Sequence, residues 1–190
     1  MQSQRLSRCI LAATGVFVVA LIFGLCAPVD ASGGILSELD QLIAPLRNAG
    51  PFVLFLVIVV NNALKALGVV ALGVVIGIPP AVFLVLNGYL LGVVITGFSS
   101  MRGLAYIVAS LAPHGVIEIP LLLLAAGLGF SVGWESIGWL ARRTGMVRAQ
   151  LRASMKVYVR WILPGLTVAA VAEVFVTPLV VALVSGGTPS

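Results

Sequence analysis

Long apolar runs, separated by short polar breaks, make up most of this 190-residue chain. Each of five runs is close to the roughly 20 residues that cross a bilayer as a helix. None shows the two-residue alternation of a membrane β-barrel, so we expect an all-α polytopic membrane protein. The pattern predicts one integral membrane domain, divided into a first span at 9–27, an outer segment at 28–50, core spans at 51–133, a basic cytoplasmic segment at 134–160 and a last span at 161–184.

The first run has two interpretations. Arg5 and Arg8 precede it, and Val29-Asp30-Ala31 before Ser32 resembles a signal-peptide cleavage site. The run is longer than a typical signal-peptide core, which favours an uncleaved first helix. Either interpretation places the amino terminus inside. In the polar segment at 28–50, Ser37 is suited to cap a short amphipathic helix at the outer surface, although a plain linker fits equally well.

Prolines divide the core spans. Gly77 to Pro80 predicts a turn, since Pro79 and Pro80 fit the first turn of a new helix but not the interior of one. Residues 104–112 are too few to cross a bilayer, so a helix beginning at Pro113 leaves them as a re-entrant or interfacial half-helix. The alternative is one long helix kinked at Pro113 and Pro120.

The segment at 134–160 predicts a basic amphipathic helix on the inner leaflet, because apolar and cationic positions form adjacent stripes on a helical wheel. The apolar stripe is Val147, Leu151, Met155 and Tyr158, and the predicted lipid-binding stripe is Arg148, Arg152, Lys156 and Arg160. Trp134, Trp139 and Trp161 are suited to anchor at headgroup level. With five spans, this segment lies inside beside anionic lipids, and the carboxy terminus lies outside.

Composition supports a membrane protein. The chain is 61% hydrophobic and only 9% charged, with a formal net charge of +5. Soluble domains carry about 25% charged residues. Because the cations cluster between apolar spans and groove-reading modules are absent, we exclude nucleic acid as a partner. Anionic inner-leaflet lipids, further copies of the chain and other membrane proteins are the expected partners, and no cofactor is indicated.

Polar side chains inside the spans are the main functional candidates, because such residues are costly in a membrane and often functional. The predicted intramembrane polar site consists of Asn61, Asn62, Lys65, Asn87, His114, Glu118 and Glu173. His114 and Glu118 share a helix face at i,i+4 spacing. Estimated depths allow Glu118, Glu173, Asn61 and Asn62 to converge, whereas Lys65 can instead extend to the headgroups.

Four interpretations of this set remain open. Asn amides and protonated carboxyls form hydrogen-bonded networks that fix helix register. Paired acids with a histidine also suit a proton or ion pathway. His114, Glu118 and Glu173 are weak candidates for a zinc or iron site. Catalysis is the fourth, with Ser110 and His114 as the obvious nucleophile and base. Because recognisable catalytic motifs are absent, we do not expect an enzyme.

Glycines spaced four apart predict close helix contacts, because small residues let helix backbones approach in a membrane. The pairs are Gly73 and Gly77, Gly88 and Gly92, and Gly129 and Gly133.

An ordered set of short motifs resembles the stage II sporulation protein M family between residues 61 and 178. The matching pieces are Asn61-Asn62, Lys65-Ala66-Leu67, Gly73, Gly77-Ile78-Pro79, Leu86-Asn87-Gly88, Pro113-His114-Gly115, Glu118, Ala172-Glu173 and Thr177-Pro178. The resemblance implies a multi-spanning helical protein without established enzymatic activity. The family's namesake is a scaffold that recruits cell-wall hydrolases to the membrane during spore formation, and relatives occur in organisms that form no spores.

Two functions follow as hypotheses. The first is a non-catalytic membrane scaffold or subunit of a membrane complex. The alternative is a permease-like or channel-like protein that moves a proton, ion or small solute along the Glu, His and Asn side chains. A polar set that lines a cavity favours the second, and one that is buried and mutually hydrogen-bonded favours a structural role.

Overall fold

The computed structural model describes residues 2–28 and 50–186, which form a helical bundle. Five helical units within this part of the chain are long and apolar enough to cross a membrane, as the sequence predicts. Their helices are α1 (Gln2–Leu25), α2 (Pro51–Ala71), α3 (Ile78–Arg102), α4 (Leu104–Arg142), α5 (Val147–Val157), α6 (Leu163–Val171) and α7 (Thr177–Ser185). The fold class is confirmed. The outer segment and its Ser37-capped helix lie outside the described residues.

A turn separates the second and third spans as predicted, but it lies at residues 72–77 rather than at 77–80. A 3₁₀ turn at Leu72–Val74 follows α2, and Gly77, with φ of 78°, precedes α3. Glycine adopts this left-handed backbone without the steric cost that a Cβ brings. Pro79 and Pro80 then lie in the first turn of α3, where a missing N–H breaks no helical hydrogen bond.

α4 corrects the prediction of a separate half-helix at 104–112. The helix runs unbroken from Leu104 to Arg142, with Pro113 and Pro120 in its interior. The alternative of one long helix is therefore the right one. At 1.5 Å per residue α4 is about 58 Å long, almost twice the hydrocarbon thickness, so it extends beyond the core unless strongly tilted. A proline can sit inside a membrane helix where neighbouring groups compensate for the lost backbone bond.

The fifth crossing unit is a helical run that is longer than the predicted last span at 161–184 and contains it. It extends over Val147–Ser185 and includes the basic helix α5. Two π-helical segments, Tyr158–Ile162 and Ala172–Val176, join α5 to α6 and α6 to α7. Each is followed within two residues by a proline, Pro164 or Pro178. A wider turn moves the preceding carbonyl away from the proline ring, which explains this placement.

Glycines allow the closest helix contacts, and the three predicted pairs all lie at them. A Cβ on Gly88 would lie 2.6 Å from the Phe17 carbonyl oxygen of α1, and one on Gly92 would lie 2.5 Å from that of Leu21. Gly73 meets Gly129, and a Cβ on Gly133 would lie 2.5 Å from the Gly77 backbone nitrogen. α1 therefore packs closely along α3, and the α2–α3 turn packs against α4.

One end of the bundle is joined by an ion pair that sequence reasoning missed. The Arg5 guanidinium of α1 donates to the Glu135 carboxylate of α4. The same carboxylate accepts a 2.8 Å hydrogen bond from the backbone N–H of Met146, just before α5. The amino end of the chain and the α4–α5 connection therefore lie on the same side of the bundle, which is the relation that five spans require.

Candidate functional site

Three of the predicted polar residues meet where α4 packs against the fifth crossing unit. Potential ligand atoms of His114, Glu118 and Glu173 all lie within 4.8 Å of one another. His114 and Glu118 are one helical turn apart on α4, so they lie on the same face. We call these three residues the His/Glu cluster.

Glu173 reaches this cluster from the π-helical segment between α6 and α7. The Thr177 hydroxyl donates a 3.2 Å hydrogen bond to the carbonyl of Ala172, five residues earlier. Pro178, next in the chain, supplies no backbone N–H. Such π-bulges are rare in helices and often occur at functional sites. The wide turn changes the direction in which Glu173 projects relative to a regular α-helix.

A cleft of about 630 Å³ borders the cluster. His114 and Glu118 line it, together with Asn87 from α3. Most of its wall is apolar, with Phe17 from α1 and Leu91 from α3 among the lining residues. The cleft therefore gives a small group access to polar atoms that are otherwise surrounded by hydrocarbon side chains.

The polar atoms of the cluster have few partners within the part of the chain described here. The His114 Nδ1 atom is buried and makes no hydrogen bond. Neither the Glu118 nor the Glu173 carboxylate forms an ion pair with another residue that the structure describes. All three side chains are half-buried. The cluster therefore lacks the mutual hydrogen bonds of a structural network. Desolvated polar groups are costly when they are left unpaired in this way.

Asn87 shares the cleft without joining the cluster by a hydrogen bond. Its Nδ2 donates a 2.8 Å bond to the Phe83 carbonyl oxygen, one turn earlier in α3. This bond fixes the amide against its own helix.

The polar residues of α2 lie elsewhere. Asn61 and Lys65 are exposed on the surface of the bundle, and Asn62 is half-buried. The Asn61 and Asn62 amides are 3.5 Å apart. Lys65 is near enough to Glu118 for an electrostatic interaction, but it forms no ion pair among the described residues. The structure therefore divides the predicted site into the His/Glu cluster, a neighbouring Asn87 and a separate polar face on α2.

The proposed catalytic pair of Ser110 and His114 does not form. The Ser110 hydroxyl donates a 3.0 Å hydrogen bond to the Ile107 carbonyl oxygen. A hydroxyl bound to its own helix is a common feature of serines in membrane helices. The geometry gives no support to a nucleophile activated by His114.

The amphipathic pattern predicted for the basic segment is present. The four cations of its predicted lipid-binding stripe are exposed, and the apolar stripe faces the bundle. Tyr158 is buried, and its hydroxyl donates a 2.9 Å hydrogen bond to the Ala63 carbonyl oxygen of α2. Trp134, Trp139 and Trp161 are exposed, and the Arg143 guanidinium lies 5.1 Å from the Trp139 ring. Lipid binding by this surface stays a prediction.

Comparison with known proteins identifies one match. Residues 13–178 match a family model described as stage II sporulation protein M. Neither the curated proteins nor the solved structures include a significant match.

Proposed function

The chain belongs to the stage II sporulation protein M family, and from this premise we propose that it is a non-catalytic subunit of a membrane complex. The family has no known enzymatic activity. Scaffolding is a function of the family's namesake. It supports the proposal for this chain as a precedent, because the namesake assembles with other proteins without catalysing a reaction.

The observation that carries the proposal is the exposed polar face of α2. Asn61 lies near the middle of this crossing helix and is exposed, as is Lys65 one turn later. Polar side chains at such depth almost always face protein or a water-filled cavity rather than lipid. A helix from another subunit would cover them.

The shape of the same face suits close helix packing. Gly68 lies one turn beyond Leu64 and Lys65, and no described atom outside its own helix comes within 4 Å of a Cβ placed on it. Small residues beside polar ones are common where membrane helices associate. We take a second copy of this chain as the partner, because an Asn amide both donates and accepts and thus pairs with its own copy.

Cysteine cross-linking in native membranes tests this contact. The background carries Cys9→Ser and Cys26→Ser, and the probe is Asn61→Cys. We expect an oxidised dimer for this variant but not for Leu86→Cys, which lies at similar depth on an exposed part of α3. A cross-link from position 61 to a different membrane protein would support the complex and correct the partner. Monomeric protein that copurifies with no partner and forms no cross-link would overturn the proposal.

A permease-like or channel-like activity is the second candidate, and the cleft is the observation in its favour. Glu118 and His114 line the cleft together with Asn87, and the buried His114 Nδ1 has no hydrogen-bond partner among the described residues. Protein reconstituted into vesicles would then conduct protons, ions or a small solute, and Glu118→Gln would reduce the flux. Flux equal to that of empty vesicles would reject this candidate.

We also propose that the amino terminus and the α4–α5 connection face the cytoplasm. Six cations lie between residues 142 and 160, and such clusters remain on the inner side of membranes. The cationic stripe of α5 would then face anionic inner-leaflet lipids. The carboxy terminus would lie outside.

A further inference from the structure

We propose that His114, Glu118 and Glu173 bind one divalent ion of a first-row transition metal, with zinc, iron and manganese as the candidate metals. This inference does not depend on whether the chain assembles with other subunits. It rests on the arrangement of the ligand atoms, their charge and their lack of other partners.

The spacing of the three residues suits a shared ion. Zinc binds imidazole nitrogen and carboxylate oxygen at about 2.0–2.2 Å, which places neighbouring ligand atoms roughly 3.3 Å apart. The potential ligand atoms here lie within 4.8 Å of one another. Small rotations of the two long glutamate side chains close the difference. Glu118 lies in α4 and Glu173 in the fifth crossing unit, which are already packed together, so the backbone need not rearrange.

Charge balance gives the second argument. When a metal ion binds, two deprotonated carboxylates and a neutral imidazole contribute a charge of −2, and a divalent ion neutralises it. An unpaired charge is costly in the membrane interior. Among the described residues, the sole ion pair joins Arg5 to Glu135. Lys65 is exposed and near enough to Glu118 for an electrostatic interaction, but it forms no ion pair with that carboxylate.

Unsatisfied atoms give the third argument. The buried His114 Nδ1 has no hydrogen-bond partner among the residues that the structure describes. If the three residues served only to fix helix register, they would be expected to bond one another or neighbouring backbone. A coordinated ion satisfies a ring nitrogen and both carboxylates together.

Local backbone structure positions the third ligand. His114 and Glu118 are set by the regular i,i+4 spacing of α4, whereas Glu173 lies in the π-helical segment Ala172–Val176. The bound ion would therefore join α4 to the fifth crossing unit where the latter departs from α-helical geometry.

The ligand types select the class of metal. Imidazole favours zinc, iron and other transition metals over calcium and magnesium, and carboxylates suit manganese as well. No cysteine belongs to the cluster, so a soft copper(I) site is not indicated. Three protein ligands leave an open coordination position, as in catalytic zinc sites. The 630 Å³ cleft at His114 and Glu118 provides a route to that position.

Metal content of the purified full chain tests the proposal. The protein is isolated on a metal-free affinity resin, stripped with chelator and equilibrated with Zn²⁺ alone. We expect one ion per chain and a higher melting temperature with metal. In Glu118→Gln and Glu173→Gln the affinity should fall roughly a hundredfold or more, because even the loss of an outer-shell contact costs 10–100-fold. Glu135→Gln, which removes a carboxylate outside the cluster, should retain the ion.

A spectroscopic measurement on the unaltered protein covers the case in which a variant fails to fold. Co²⁺ bound to nitrogen and oxygen ligands should give weak visible absorption without an intense thiolate band. A thiolate band would assign the ion to Cys9 or Cys26 and overturn the proposal. Failure of the wild-type chain to take up Zn²⁺, or equal uptake by well-folded Glu118→Gln and Glu173→Gln, would overturn it as well.

Discussion

Single side chains of the same type have different surroundings in this protein, according to the direction in which their helix presents them. Asn61 and Asn87 are the same residue type inside predicted spans, yet Asn61 is exposed and Asn87 lines the cleft. Glu118 and Glu173 face each other, while Glu135 binds Arg5 at one end of the bundle. Residue type alone therefore does not predict what a polar side chain faces.

The Tyr158 hydroxyl provides a test at this scale. It donates to the Ala63 carbonyl oxygen and joins the fifth crossing unit to α2. We expect Tyr158→Phe to lower the free energy of unfolding by about 1 kcal/mol, the typical net value of one hydrogen bond. Tyr89→Phe is the control, since the Tyr89 hydroxyl has no hydrogen bond in the described part of the chain. Unfolding in detergent measures both, and equal effects would contradict the assignment.

Helical elements in this protein accommodate their prolines in different ways. α4 continues as an α-helix through Pro113 and Pro120. Before Pro164 and Pro178 the fifth crossing unit widens into π-helical turns. Both arrangements accommodate a missing N–H and a bulky ring, but the π turn also rotates the side chains beyond it. Sequence alone predicts that prolines disturb a helix, not which adjustment results.

The contact between α1 and α3 provides a test at the element scale. An added Cβ at Gly88 would lie 2.6 Å from the Phe17 carbonyl oxygen, so the two backbones must separate. We expect Gly88→Ala to destabilise the protein by about 1–3 kcal/mol, as other overpacked contacts do. Gly15→Ala on α1 is the matched control, because no described heavy atom outside α1 lies within 4 Å of its Cβ position. It should be neutral or stabilise the helix by up to about 1 kcal/mol.

Thermal unfolding of both glycine variants beside the wild-type chain measures the difference. A stable Gly88→Ala variant with an unchanged transition would show that α1 and α3 do not approach as closely as described.

At the scale of the whole molecule, α4 is the organising element. It packs against α1, α2, α3 and the fifth crossing unit. It supplies two residues of the His/Glu cluster, the glycines that meet the α2–α3 turn, and the carboxylate that binds Arg5. One helix therefore contributes both to the His/Glu cluster and to the ion-paired end of the bundle. The side of the membrane on which this end lies gives the orientation of the chain.

Accessibility to a membrane-impermeant maleimide tests that orientation in intact cells. With Cys9→Ser, the native Cys26 is exposed at the far end of α1 from Arg5, and we expect it to be labelled from outside. Thr144→Cys, in a background that also carries Cys26→Ser, should react only after permeabilisation because the cationic segment remains inside. The reverse pattern would contradict the proposed topology.

The sequence by itself determined the number of spans and the chemistry available inside them. A bilayer offers no water to the backbone, so each apolar run of sufficient length must satisfy its hydrogen bonds as a helix. Glycine spacing likewise predicted the contacts at Gly73, Gly88 and Gly129, because only small residues allow such approach.

Tertiary structure decided which polar residues meet. His114 and Glu118 are neighbours by helical spacing, but the approach of Glu173 depends on a π-helical turn and on how the fifth crossing unit packs against α4. The exposure of Asn61 depends in the same way on which face α2 presents to the bundle. Hydrophobicity fixes how deep a residue lies, whereas packing fixes its direction around the helix axis.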